Sequence, residues 1–128
     1  MYDLHYDQTS LALIRAFSAA KKPISAVCHG STVLVKATND LGELLLSNAS
    51  VTGFSNTEED QAGMTSVMPY MLEDELNKVT GGRYIKADKP WEEKVVVSKT
   101  TDGAILITGQ NPASATGVGK EILKALGV

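Results

Sequence analysis

The stretch "ISAVCHG", residues 24–30, runs straight into the chain's only cysteine, Cys28, beside one of its two histidines, His29. "ISAVC" (24–28) is short, continuous and apolar, the pattern of a strand covered on both faces. Small neighbours, Ala26 and Gly30, permit a sharp turn from that strand into a following helix. Such a turn exposes its side chain at the edge of the sheet while crowding its backbone. The N-terminus of the following helix would stabilise an anion and draw the thiol toward thiolate. Backbone N–H groups at the same turn can hold a developing oxyanion. Cys28 is therefore the candidate nucleophile, and His29 the candidate general base or acid.

Outward from this point the chain alternates helix and strand. "SLALIRAFSAAKK" (10–22) spaces Leu11, Ile14, Phe17 and Ala20 as a helix, with Asp7, Thr9 or Ser10 as its cap and Pro23 as its stop. "STVLVKAT" (31–38) reads as a helix and "ASVTGF" (49–54) as a short strand. "TSVMPYMLEDELNKVTG" (65–81) reads as one helix, with Pro69 in its first turn and Gly81-Gly82 as its stop. "KVVVSK" (94–99) and "AILITG" (104–109) flank Asp102-Gly103, a strong hairpin signal, and 113–128 closes as a helix. This order predicts a single α/β domain over 1–128, with a mainly parallel sheet and one β-hairpin near the C-terminus.

Composition narrows the function classes. Twelve basic and fifteen acidic residues give a net charge of −3, with no basic block, so nucleic acid is excluded as a partner. No apolar run approaches the roughly 20 residues of a membrane span, and "MYDLHYDQ" lacks the order of a secretory signal. A single cysteine excludes an internal disulfide and fits the reducing cytoplasm. Two histidines and one cysteine do not make a closed zinc site, so no metal is expected.

Four stretches, in order and spacing, resemble one known family across essentially the whole chain. "AVCHG" (26–30) resembles the nucleophile motif of the ThiJ/PfpI superfamily, related to the class I glutamine amidotransferases. "VTGFSNTEED" (51–60), "VMPYMLEDELNKVTGGRYIKA" (67–87) and "LITGQNPASA" (106–115) resemble its glyoxalase III-like branch. The resemblance implies a flavodoxin-like three-layer α/β sandwich and a catalytic Cys28–His29 pair. It also implies a carboxylate from "NTEED" that orients the histidine. Position after "TGF" favours Glu59, with Glu58 and Asp60 as alternatives. The implied activity is conversion of methylglyoxal or a related 2-oxoaldehyde to a 2-hydroxy acid, with neither glutathione nor another cofactor. The family also implies a stress-response holdase that binds unfolded clients, a redox sensor, or a cysteine hydrolase or deglycase as alternatives, and a homodimer.

In a full-length member roughly a hundred residues precede the matched part. They carry the first strands, a glutamate that touches the nucleophilic cysteine, and a "GGHG"-type turn of the oxyanion site. "MYDL" resembles the segment just after that turn, so the chain is expected to be N-terminally truncated. One side of the cysteine strand would then be a bare apolar edge, and the chain alone would be weakly active or inactive. Among the remaining residues, Trp91 reads as core packing, with a place on the active-site rim as the alternative, and His5 reads as a surface residue, with a place facing the pocket as the alternative. "TGVGKE" (116–121) reads as a helix start rather than a phosphate loop, and Asn111 is kept as a secondary site candidate.

Overall fold

A computed structural model describes all of residues 1–128. Its elements are α1 (Gln8–Ala19), β1 (Ile24–Val27), a 3-10 helix (Cys28–Leu34), α2 (Asn56–Gln61), a 3-10 turn (Thr65–Val67) and α3 (Leu72–Val79). The hairpin strands β2 (Val95–Lys99) and β3 (Ile105–Gly109), a 3-10 turn (Pro112–Ser114) and α4 (Ala115–Leu126) complete the chain. The three strands form one sheet in the order β1-β3-β2. β1 runs parallel to β3, from Ile24 opposite Leu106 to Val27 opposite Gly109, and β2 runs antiparallel to β3. The central strand, β3, is buried from Leu106 to Gly109. β1 and β2 are the two edges.

Local chemistry explains most boundaries. Asp7 caps α1 by accepting from the Ser10 N–H at 2.7 Å. Gly103 adopts φ +86 in the hairpin turn, a conformation that costs glycine nothing. α3 ends before Gly81 and Gly82, both at positive φ.

Three elements differ from the expectations. Residues 31–38 do not form an α-helix; a 3-10 helix begins at Cys28 and ends at Leu34. The β-branched residues Thr32, Val33 and Val35 are stiff at χ1 and disfavour the α form. The 49–54 segment meets its neighbour only through a single parallel bridge, Val51 to Tyr84. The helix expected over 65–81 is split. Proline disfavours the α region for the residue before it, and Met68 is extended at ψ 139. Pro69 thus lies ahead of α3, whose N-cap is Met71, and not in its first turn.

The core gathers Leu34, Leu46, Val51, Phe54, Leu76 and Leu106 between the sheet, the 3-10 helix and α3. α4 covers the hairpin side, with Val118 buried. His5 is buried, not on the surface. Its Nδ1 lies 2.8 Å from the Thr32 carbonyl oxygen, and its ring packs against Tyr6 and Tyr70. Along α1, Leu13 and Phe17 stay exposed and line an open groove of about 270 Å³ with Ile14, Pro23 and Ile24. No helix is long and apolar enough to cross a membrane.

Two glycines should respond oppositely to alanine. A methyl group on Gly109 would stand 2.8 Å from Val118 Cγ2 and 2.9 Å from Ser114 Cβ. Gly109→Ala is expected to destabilise the fold by about 1–3 kcal/mol through overpacking. Gly119, within α4, has open space at the same position. Gly119→Ala should stabilise by up to about 1 kcal/mol through helix propensity. Urea denaturation of both variants checks the pair.

Candidate active site

Strand β1 delivers the chain into a strained turn. Cys28 has φ +59, a left-handed conformation that is uncommon for a residue with a side chain. This is the elbow geometry, and it places Cys28 Sγ 3.6 Å from His29 Nδ1. The other ring nitrogen, Nε2, lies 2.6 Å from Glu59 Oε2. A carboxylate can only accept, so the ring proton belongs on Nε2 and the Nδ1 lone pair faces the thiol. Glu59 is buried, and its second oxygen, Oε1, has no hydrogen-bond partner.

The acid arrives on α2. Ser55 caps that helix in a capping box: its hydroxyl accepts from the Glu58 N–H, and the Glu58 carboxylate accepts from the Ser55 N–H. Consecutive helical residues point in different directions, so Glu58 and Glu59 meet different neighbours. Asp60 is exposed and accepts from the Thr65 hydroxyl. Of the three acids in the loop, Glu59 is the one set against His29.

Glu58 accepts five hydrogen bonds. Oε2 takes the Ser55 N–H and hydroxyl; Oε1 takes the Trp91 N–H, Gln110 Nε2 and Asn111 Nδ2, all between 2.8 and 3.0 Å. Burial pushes its pKa up. The donors, Ser55 and Asn111 foremost, outweigh that and hold the carboxyl below the usual range. Asn111 is buried in this network and also donates to the Glu92 carbonyl at 2.7 Å; its hydrogen bonds go to Glu58, Glu92 and Ser114, not to Cys28 or His29. The Ser55-x-x-Glu58 spacing was the available sequence signal for this role.

Trp91 is not core packing. It is 44% exposed, with φ +67 and its indole 5.5 Å from the Phe54 ring, which in turn lies 4.4 Å from the His29 ring. Phe54 was not singled out in the sequence, although it closes the "TGF" stretch. "TGVGKE" lies inside α4.

Electrostatics departs from the expected acidic thiol. Burial pushes the Cys28 thiol up; the His29 backbone N–H lowers it, but the negative charges of Glu58 and Glu59 add to the rise. The helix after Cys28 is a short 3-10 segment, and the nearest charges are acidic.

No protein-family model matches the chain. Among curated proteins it is 32% identical over 106 residues to glyoxalase 3 of Candida albicans, which covers 80% of this chain and 43% of that protein. It is 35% identical over 109 residues to a probable glutathione-independent glyoxalase of Schizosaccharomyces pombe, covering 80% and 40%. The crystal structure of glyoxalase III from Candida albicans superposes with a TM-score of 0.83 at 26% identity, covering 97% of this chain and 52% of that one. Over the matched part, the chain is a glyoxalase III-like relative in the ThiJ/PfpI superfamily. Its flavodoxin-like α/β architecture is that of these glyoxalase III-like structures, and it spans about half their length.

The raised Cys28 thiol has a direct readout. Iodoacetamide alkylation of Cys28 should follow the thiolate, with a midpoint above the free-thiol value of about 8.5. Glu59→Gln removes one of the negative charges and should lower that midpoint. The rate measured across pH for both proteins checks it.

Proposed function

We propose that the chain carries the nucleophile, base and orienting acid of a glutathione-independent glyoxalase acting on methylglyoxal or a similar 2-oxoaldehyde. The observation that supports this most is the continuous line from Cys28 Sγ to His29 Nδ1 and from His29 Nε2 to Glu59. In this reading the thiol adds to the aldehyde carbon as its proton passes to Nδ1, and a proton returned to the carbonyl oxygen gives a hemithioacetal. His29 then takes the proton from that carbon, giving an enediolate, and returns it to the neighbouring carbon, while the hemithioacetal hydroxyl proton passes to the adjacent oxygen. The product is a thioester of the 2-hydroxy acid. Water hydrolyses it and restores the thiol. Carbon is internally oxidised at one centre and reduced at the next, so no external oxidant, reductant or cofactor enters. Glu59 keeps the imidazole in one tautomer and stabilises it when it is charged. The 128 residues are read as one α/β domain of a cytoplasmic protein, since a lone thiol suits a reducing compartment. A homodimer is the proposed assembly, because a bare apolar edge strand invites pairing.

Methylglyoxal loss measured without glutathione, on this chain joined to the N-terminal half of a full-length relative, tests this. Cys28→Ser should abolish it. Glu59→Gln should lower it by on the order of 10²-fold or more, and Asp60→Asn should leave it within a few-fold. Turnover should be slow near pH 7 and rise with pH, since the thiol is mostly protonated there. Activity that survives Cys28→Ser overturns the reading. Greater damage from Asp60→Asn than from Glu59→Gln overturns the assignment of the acid.

A further inference from the structure

Helix α2 presents three acceptors to two different parts of the site. Glu59 faces His29. Glu58 and Gln61, one helical turn apart and so on one face, both face Trp91. Glu58 Oε1 accepts the Trp91 backbone N–H at 2.8 Å, and Gln61 Oε1 accepts the indole N–H at 2.6 Å. Phe54 links Trp91 to the histidine: its ring centroid lies 4.4 Å from that of His29 and 5.5 Å from that of Trp91.

Trp91 needs to be held. A positive φ of +67 is strained for a bulky side chain, and such strain persists only where surrounding contacts over-determine it. The same residue is 44% exposed, so burial of the indole supplies only part of the constraint. Gln61 holds the indole, and Glu58 holds the backbone at the strained residue itself. Glu58 is fully buried, saturated with donors, and bonded at once to the α2 cap, the Trp91 backbone and the 110–111 corner after β3.

We propose that Glu58 is a positioning residue: it clamps Trp91 to α2 and thereby fixes the aromatic wall, Trp91–Phe54, against which the His29 imidazole is set. The proposal builds on the reading of Cys28, His29 and Glu59 as the reacting groups. Glu58 itself touches neither His29 nor Cys28 through any hydrogen bond; it acts through Trp91 and through the helix it shares with Glu59.

The chain contains one tryptophan and two histidines, so both ends of this arrangement report separately. Glu58→Asp keeps the charge near Cys28 and shortens the side chain by one methylene, too short to reach Ser55 and the Trp91 side together. In this variant Trp91 emission should move to longer wavelength, and the His29 ring resonances of histidine-labelled protein should shift. His5, buried against Thr32 and Tyr70, should not move and serves as the internal control. The His29 signals are assigned by their loss in His29→Gln. Gln61→Ala, at an exposed position, removes only the indole acceptor and should produce the same emission change even where Glu58→Asp does not fold. Emission and His29 resonances that coincide with the parent, with nothing altered but the melting temperature, overturn the proposal. So does a perturbation of His5 as large as that of His29. None of these readouts needs turnover. If this chain joined to the N-terminal half of a full-length relative leaves methylglyoxal untouched, the glyoxalase reading falls and these outcomes alone decide the clamp.

Discussion

The left-handed backbone at Cys28 is the constraint on which the rest of the site depends. A strand that continued past Val27 would carry the thiol along the sheet edge, away from the histidine that follows it. Turning at φ +59 instead stacks two adjacent residues so that Sγ and Nδ1 face each other at 3.6 Å. Holding a side-chain-bearing residue there costs on the order of 1–3 kcal/mol. The opposing contributions are local: β1 is registered on β3 up to Val27, and the 3-10 helix starts at once and buries Ser31, Thr32 and Leu34.

Two adjacent glutamates show how environment divides labour. Glu58 accepts five hydrogen bonds and stays ionised below the usual range. Glu59, equally buried, has one partner, His29, and one oxygen with none. A buried carboxylate oxygen left without a donor is costly. The one bond Glu59 does make, to His29 Nε2 at 2.6 Å, sets the tautomer of the imidazole. Both charges also reach the thiol and raise its pKa. The carboxylates beside the imidazole therefore oppose ionisation of the Cys28 thiol, which is why the proposed reaction passes the thiol proton to Nδ1 during attack.

The sequence carried this much because its strongest signals are local. An apolar strand running into Cys-His-Gly, an Asp-Gly hairpin and a double-glycine helix stop each depend on a few neighbouring residues. Order along the chain then placed Glu59 in the loop that faces His29. What stayed hidden is tertiary. Nothing near Trp91 in the chain announces that Glu58, 33 residues earlier, takes its N–H. His5 looked exposed because its partners, Thr32 and Tyr70, are far away in sequence. The split at Pro69 and the 3-10 form after Cys28 were errors of helix type, where periodicity is silent. A helix start pulls a thiol's pKa down, whereas burial and the two carboxylates that approach from another element push it up, and neither is visible around Cys28 in the sequence.

Stability and chemistry meet again at Gly109. It pairs with Val27, the residue just before the elbow, and the position of its absent Cβ lies 3.4 Å from Val27 Cγ2 as well as against Val118 and Ser114. β1 is an edge strand, so β3 is its only strand partner within these residues. Any change that pushes β3 away from α4 must therefore move β1 or strain it. Because packed interiors transmit displacement rather than absorb it, that motion reaches Cys28 within one residue. Hydrogen bonding ties the far end of the same corner to the acid: Gln110 and Asn111, the next two residues, donate to Glu58 on α2. The segment 109–111 thus touches the strand that leads into Cys28 at one end and the helix that carries Glu58 and Glu59 at the other. A conformational change there would be felt by both halves of the site together.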